Sequence, residues 1–158
     1  GPAGQRPGIA CTGEGVGVGG LQGAAQVNMQ GLGSASALEL GATYPDRIAG
    51  LIIESGFAYA APLLRLLGID PDRIGFDESA GFANLDKIKR YAGPTLIIHA
   101  EHDHIIPYSD SEALLAASPS PEKTHVKIPG ANHNDIFLRG MKAYLDAVQT
   151  FCQTCTSP

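Results

Sequence analysis

Acidic and histidine side chains cluster after three apolar runs of the chain, where they could move protons. The first cluster is Glu54-Ser55-Gly56, the second extends from His99 to His104, and the third from Pro129 to Asp135. An acid after one run and a histidine after the next is the chain order of the acid and base in Ser-Asp-His catalysis. In that chemistry the histidine takes a proton from a nucleophile, and the carboxylate fixes the histidine tautomer and stabilises the imidazolium.

The elements that position these clusters alternate between helices and strands. Apolar runs bounded by turn residues predict buried strands at 48–54, 95–99 and 124–128. Helical spacing predicts helices at 32–43, 58–67, 85–91, 109–117 and 136–151. On the last helix we expect these residues to face inward: Ile136, Met141, Tyr144, Leu145 and Val148. The alternation predicts an α/β fold, a parallel sheet with helices on both faces, and chemistry at the carboxyl ends of its strands.

One long segment carries a specific family resemblance. Residues 94–137 read PTLIIHAEHDHIIPYSDSEALLAASPSPEKTHVKIPGANHNDIF and resemble the carboxyl-terminal part of small α/β hydrolases with little or no lid. In that family a strand ending in His-Gly precedes an Asp, an apolar pair and Pro, and a later Pro-Gly-Ala-x-His carries the catalytic histidine. The resemblance extends over about residues 31–151. It implies that Asp103 is the triad acid, that His133 is the triad base, and that the parent activity is hydrolysis of ester or amide-type acyl bonds.

The residue expected to be the nucleophile departs from the family pattern. Members read Gly-x-Ser-x-Gly at the turn between a strand and a helix, whereas the aligned residues here are Met29-Gln30-Gly31-Leu32-Gly33. Gly31 therefore occupies the nucleophile position. Ser34 and Ser36 lie further along the helix, roughly 4.5 and 7.5 Å along its axis, and lack the small flanking residues of the strained turn. We expect the chain to keep an acid and a base, and to be inactive without the nucleophile.

Residues 1–30 differ in composition from residues 31–158. Nine of the 20 glycines lie in the first 30 residues, and large apolar side chains are few there. We predict a glycine-rich irregular leader over 1–30, followed by the carboxyl-terminal part of an α/β-hydrolase-like domain over 31–158. A complete domain has further strands before the nucleophile turn. We therefore expect this domain to be incomplete at its N-terminus, and hypothesise that the leader arose from a misread reading frame.

Three other motifs suggest sites that their context does not support. Gly15 to Gly20 satisfy G-x-G-x-x-G, but the preceding PGIACTGE makes a poor strand and Glu39, the acid at the required spacing, lies in a helical pattern, so no cofactor is expected. The three histidines within 99–104 need not converge on a metal, because alternate residues of a strand point in opposite directions. Cys152 and Cys155 form C-x-x-C at the end of a helix, where we expect two incidental thiols on a fraying terminus.

Composition and charge argue against several classes of function. A net charge of -5 and a pI near 5.4 disfavour binding to nucleic acid or to an anionic membrane. The apolar runs are too short to span a bilayer, and no secretory signal is visible at the start. We therefore predict a soluble cytoplasmic protein whose family acts on small-molecule acyl substrates. The alternative is a non-catalytic binding or dimerisation module that self-associates through an exposed sheet edge.

Overall fold

A sheet of parallel strands forms the centre of the computed structural model, which describes residues 25–156. The strands are β1 (Ala25–Gln30), β2 (Ile48–Glu54), β3 (Thr95–Ala100) and β4 (Lys123–Ile128), hydrogen-bonded in that order. The helices are α1 (Ser34–Thr43), α2 (Ala61–Leu66), α3 (Asn84–Ile88), α4 (Tyr108–Ala117) and α5 (Ile136–Thr156). Because every neighbouring pair runs parallel, the carboxyl ends of these strands lie at one edge of the sheet.

The three predicted strands correspond to β2, β3 and β4, with ends that agree to within one residue. Every residue of β2 and of β3 is buried. Burial on both faces explains why these strands read as continuous apolar runs rather than as alternating ones. In β4 the two lysines, Lys123 and Lys127, are exposed, as suits a strand with a single neighbour among the described residues.

Strand β1 corrects the prediction of an irregular leader over residues 1–30. Ala25–Gln30 form a strand that pairs in parallel with β2, from Gln26 opposite Gly50 to Gln30 opposite Glu54. The prediction is wrong for these residues because AQVNMQ has little strand character of its own, and its pairing with an apolar neighbour makes it a strand. Residues 1–24 lie outside the described residues. The division of the chain into a leader and a domain stays a prediction.

Helices cover both faces of the sheet, as predicted. The core on the side of α1, α3 and α4 includes Leu38, Leu51, Ile53, Ile88, Ile97 and Leu114. The core on the side of α5 includes Ile52, Leu96, Ile98, Ile136, Tyr144 and Phe151. Ile52 and Ile53 belong to different cores because successive side chains of a strand point to opposite faces. The two cores pack against opposite faces of the sheet and thereby fix the position of the loops at its carboxyl edge.

Helix α5 buries a narrower stripe than the sequence predicts. Ile136 and Tyr144 are buried and Val148 packs against the same core, but Met141 is 45% exposed and Leu145 is 50% exposed. The prediction is wrong for these two residues. Leu145 follows Tyr144 by one residue, a rotation of about 100° around the helix, so it leaves the face that contacts the sheet.

None of the helices within residues 25–156 has the length and the apolar character that crossing a membrane requires.

Candidate active site

The loop that follows β3 holds a buried carboxylate, Asp103. Its Oδ1 accepts hydrogen bonds from the backbone N–H groups of Ile105, at 2.9 Å, and Ile106, at 2.8 Å. The Asp103 side chain is fully shielded from solvent. Since the two backbone donors hold one oxygen, the other, Oδ2, is directed to the next loop of the sheet edge.

The loop that follows β4 supplies the partner of this carboxylate, His133. Its Nδ1 lies 2.8 Å from Asp103 Oδ2. An ionised carboxylate only accepts hydrogen bonds, so Nδ1 carries the proton and donates it. In the neutral ring Nε2 is then the unprotonated nitrogen, available as a base. The His133 side chain is 17% exposed, so the ring is not sealed off from solvent.

Asp103 and His133 each stabilise the charged form of the other. The Asp103 hydrogen bond raises the pKa of His133 above its usual 6.5, against the opposing effect of burial, and the negative charges of Asp103 and Glu54 act in the same direction. Burial alone would raise the pKa of Asp103, but its hydrogen bonds to His133 and to the backbone of Ile106 and Ile105 hold that pKa below the usual 3.8. At neutral pH Asp103 is therefore a carboxylate that stabilises the His133 imidazolium.

Gly31, the residue predicted at the nucleophile position, lies directly against this pair. It follows β1, opens the turn into α1, and has a positive φ of 56°. A Cβ atom built on Gly31 would lie 3.5 Å from His133 Nε2 and 3.6 Å from His133 Cε1. A side chain here would thus point at the free nitrogen of the imidazole. A left-handed residue between a strand and a helix is also the backbone conformation expected at the predicted nucleophile position.

Neither nearby serine occupies this position. Ser34 begins α1 and is fully buried, and its Oγ makes no hydrogen bond to any residue that the structure describes. Gly56, which follows β2, comes close enough that an added Cβ would lie 3.3 Å from Ser34 Cβ. Ser36 is exposed on the outside of α1. One hydroxyl therefore packs into the interior and the other faces solvent.

A second carboxylate, Glu54, ends β2 beside the site, and sequence reasoning assigned it no role. It is 8% exposed, and its Oε2 accepts a hydrogen bond from the Tyr144 hydroxyl at 2.6 Å. Burial raises the pKa of Glu54 above the usual 4.5, while the Tyr144 hydrogen bond and the charge of His133 oppose the shift. The only sequence signal was its place at a strand end, because its partner Tyr144 lies far along the chain in α5.

His99, near the end of β3, contacts the loop that carries Asp103. Its Nε2 lies 2.8 Å from the carbonyl oxygen of Ile106 and 3.5 Å from Asp103 Oδ2. Since a carbonyl only accepts, Nε2 carries the proton and donates to Ile106. Burial lowers the pKa of His99 below 6.5, although the Ile106 hydrogen bond and the nearby carboxylates oppose the shift. A neutral His99 thus holds the same loop segment whose backbone orients Asp103.

The other candidate sites from the sequence do not converge with this one. His102 is 69% exposed and lies 3.6 Å from Glu101, whereas His99 is buried, so these histidines point apart. In the part of the chain that the structure describes, no group of three His, Cys, Asp or Glu side chains is placed to hold a metal ion. The glycine motif at 15–20 lies outside the described residues. Cys155 is 2% exposed inside α5, so the expectation of a fraying terminus there is wrong.

Comparison with known proteins identifies the architecture that holds this site. A family model described as alpha/beta hydrolase fold matches residues 71–139, which include Asp103 and His133. Est1E from Butyrivibrio proteoclasticus superposes with a TM-score of 0.66 at 20% identity, over 84% of this chain and 61% of that chain. The chain has an α/β-hydrolase fold. A monoacylglycerol lipase of Paleococcus ferrophilus superposes with a TM-score of 0.65 at 19% identity, over 82% of this chain and 68% of that one.

The sequence relatives of this chain are longer proteins. An uncharacterised protein of Mycobacterium tuberculosis is 32% identical over 132 residues, which are 77% of this chain and 42% of the relative. The human alpha/beta hydrolase domain-containing protein 17B is 37% identical over 70 residues, 44% of this chain and 23% of the relative. The chain thus spans less than half the length of these curated relatives. What it contains of the hydrolase fold is the part with the predicted acid and base.

Proposed function

We propose that this chain carries the acid and base of a Ser-Asp-His acyl hydrolase, with Asp103 as the acid and His133 as the base. Gly31 occupies the nucleophile position, so the chain does not form a covalent acyl-enzyme. The observation that supports this assignment is the 3.5 Å between His133 Nε2 and a Cβ built on Gly31. Residue 31 thus faces His133 Nε2 and Asp103 binds His133 Nδ1, which is the arrangement of nucleophile, base and acid that the triad chemistry requires.

The same geometry supports acyl transfer as the reaction type. A base with a protonated Nδ1 and a free Nε2 takes a proton from a hydroxyl, and the imidazolium then returns it to the leaving group. Acyl esters and amides are the substrates for which this proton shuttle serves both steps. In the longer relatives the substrate is accordingly expected to be a small-molecule acyl compound. The cytoplasmic location stays a prediction from the sequence.

The test is to supply the hydroxyl. We expect wild-type protein to remain unlabelled by a fluorophosphonate probe and Gly31→Ser to be labelled at residue 31. A serine at a positive φ costs roughly 1–3 kcal/mol in stability, so labelling is measured on protein whose fold is verified by circular dichroism. Mass spectrometry of the digested protein locates the label.

Two variants sharpen the result. Gly31→Ser combined with His133→Ala carries the same hydroxyl without the base and is expected to lose the labelling. Gly31→Ser combined with Ser34→Ala removes the buried hydroxyl of α1 and is expected to label as Gly31→Ser does. Labelling of wild-type protein at Ser34 or Ser36 would contradict the assignment, as would folded Gly31→Ser that remains unlabelled.

We propose self-association through the outer edge of β1 as the second candidate function. Within residues 25–156, β1 pairs only with β2, and its sequence AQVNMQ carries no charge. By contrast, β4 at the opposite edge exposes Lys123 and Lys127, charges that oppose strand pairing. Light scattering on a dilution series tests this candidate. A dimer that persists at low concentration and is lost in Asn28→Lys supports it, and a monomer at all concentrations contradicts it.

A further inference from the structure

The free nitrogen of His133 faces Gly31, a residue that has no side chain of its own. Among the described residues other than its chain neighbours, His133 has the atoms nearest to a Cβ built on Gly31, at 3.5 and 3.6 Å. Its Nδ1 is engaged by Asp103 at 2.8 Å, whereas Nε2 makes no hydrogen bond within residues 25–156. The pair is therefore poised to accept a proton from whatever hydroxyl approaches over Gly31.

From this geometry we infer that His133 and Asp103 activate an external small nucleophile, water in the first place, for direct attack on an acyl carbonyl. The inference rests on the proposed function, since it uses the same acid and base. It goes beyond it by assigning an activity to the chain as it stands. The reaction is a single displacement on an activated ester or thioester, without a covalent intermediate.

The bonds and protons of this reaction balance without any further reactant. The nucleophile gives its proton to His133 Nε2 while its oxygen forms a bond to the acyl carbon, and the carbonyl electron pair moves onto the carbonyl oxygen. When the electron pair on the oxygen re-forms the carbonyl double bond, the bond from the acyl carbon to the leaving group breaks. The imidazolium, stabilised by Asp103, gives its proton to the leaving group. Ester and water become acid and alcohol, and His133 returns to its starting state.

The surroundings of Gly31 limit the size of the nucleophile. Gly31 is buried, and the His133 side chain is 17% exposed. Because both residues are largely shielded from solvent, we expect a small nucleophile to reach His133 Nε2 more readily than a bulky alcohol. Water, methanol and hydroxylamine are therefore the expected acceptors. Benzyl alcohol, which has a comparable hydroxyl group, is expected to react no faster than it does without the protein.

The experiment measures hydrolysis of p-nitrophenyl acetate by the 158-residue chain. We expect His133→Ala to lower the rate about 100-fold, the lower range of what a positioned general base contributes. His102→Ala, which removes an exposed imidazole, is the matched control and is expected to leave the rate unchanged. Added methanol should yield methyl acetate in proportion to its concentration. The wild-type time course should show no initial burst.

The inference is overturned if wild-type and His133→Ala protein hydrolyse the ester at the same rate, or if mass spectrometry detects an acetylated wild-type enzyme. Gly31→Ala offers a second check, since its methyl group fills the nucleophile's position and is expected to slow the reaction while the fold persists. If Gly31→Ser is labelled by fluorophosphonate but wild-type hydrolysis does not depend on His133, this inference fails and the proposed function stands. If hydrolysis depends on His133 but Gly31→Ser is not labelled, the assignment of residue 31 fails instead.

Discussion

Replacing Asp103 by Asn removes the negative charge beside His133 and keeps the shape of the side chain. The amide oxygen of Asn continues to accept from Ile105 and Ile106, which lie 2.9 and 2.8 Å from Asp103 Oδ1. The amide nitrogen then faces His133 Nδ1 in place of the carboxylate. Because that nitrogen donates, His133 has to present an unprotonated Nδ1 and shift its proton to Nε2. The variant therefore both removes the charge and reverses the tautomer.

The size of the effect follows from the burial of the pair. The Asp103 side chain is fully shielded and the bond to His133 Nδ1 is 2.8 Å long. A hydrogen bond to a charged group contributes about 1.5–3 kcal/mol, and a tenfold change in proton affinity corresponds to about 1.4 kcal/mol. The pKa of His133 is therefore expected to fall in Asp103→Asn, and the lost interaction to cost about 1.5–3 kcal/mol at a pH where both groups are charged.

The stability of the protein should change in a defined pH range. A raised histidine pKa stabilises the fold below the unfolded pKa, near 6.5, and this contribution is lost as pH rises through the folded pKa. A lowered aspartate pKa stabilises the fold above about 3.8, and this contribution is lost as pH falls through the folded pKa. The stability difference between wild type and Asp103→Asn is thus expected to be largest between these values.

Proton NMR of the His133 ring across pH measures the pKa, and urea denaturation measures stability at each pH. Asp110→Asn is the matched control, because Asp110 is a buried acid that accepts from the Ala58 N–H at 2.9 Å and does not contact His133. This control is expected to leave the pKa of His133 unchanged, because distant sites without shared partners act independently. An unchanged His133 pKa in Asp103→Asn would refute the assignment of the Asp103 charge as its cause.

Three further predictions concern the rest of the described chain. Burial raises the pKa of Glu54 above 4.5, so the wild-type protein loses stability as pH rises from 4.5 through the raised pKa of Glu54. In urea denaturation, Glu54→Gln should therefore be more stable than wild type at pH 8 and no more stable at pH 4. Gly50→Ala should lose about 1–3 kcal/mol, since its Cβ would lie 2.5 Å from Cys155 Sγ; an unchanged denaturation midpoint contradicts this packing. Leu138 is 78% exposed, so Leu138→Lys should change the free energy of unfolding by no more than about 0.5 kcal/mol.

Asp103 and His133 were predicted from sequence because the family motif marks them and each lies on a loop directly after a strand. Parallel strands bring such loops to one edge, so chain order alone predicts that Asp103 and His133 lie near each other. Glu54 and His99 also end strands, but their roles depend on contacts that a linear pattern does not record. The Tyr144 hydroxyl reaches Glu54 from helix α5, 90 residues further along the chain, at 2.6 Å. The backbone of Ile106 folds back on His99 at 2.8 Å.

By itself, the sequence determined the strands β2 to β4 and the α/β class, because these depend on local apolar patterns, and its resemblance to small α/β hydrolases singled out Asp103 and His133. Only the tertiary structure decided that Ala25–Gln30 form a strand, since their pairing partner is β2 rather than anything in their own composition. It also decided that the position over Gly31 faces His133 Nε2 at 3.5 Å. Gly31 and His133 are about a hundred residues apart in sequence, and the parallel sheet brings them together at the carboxyl ends of β1 and β4.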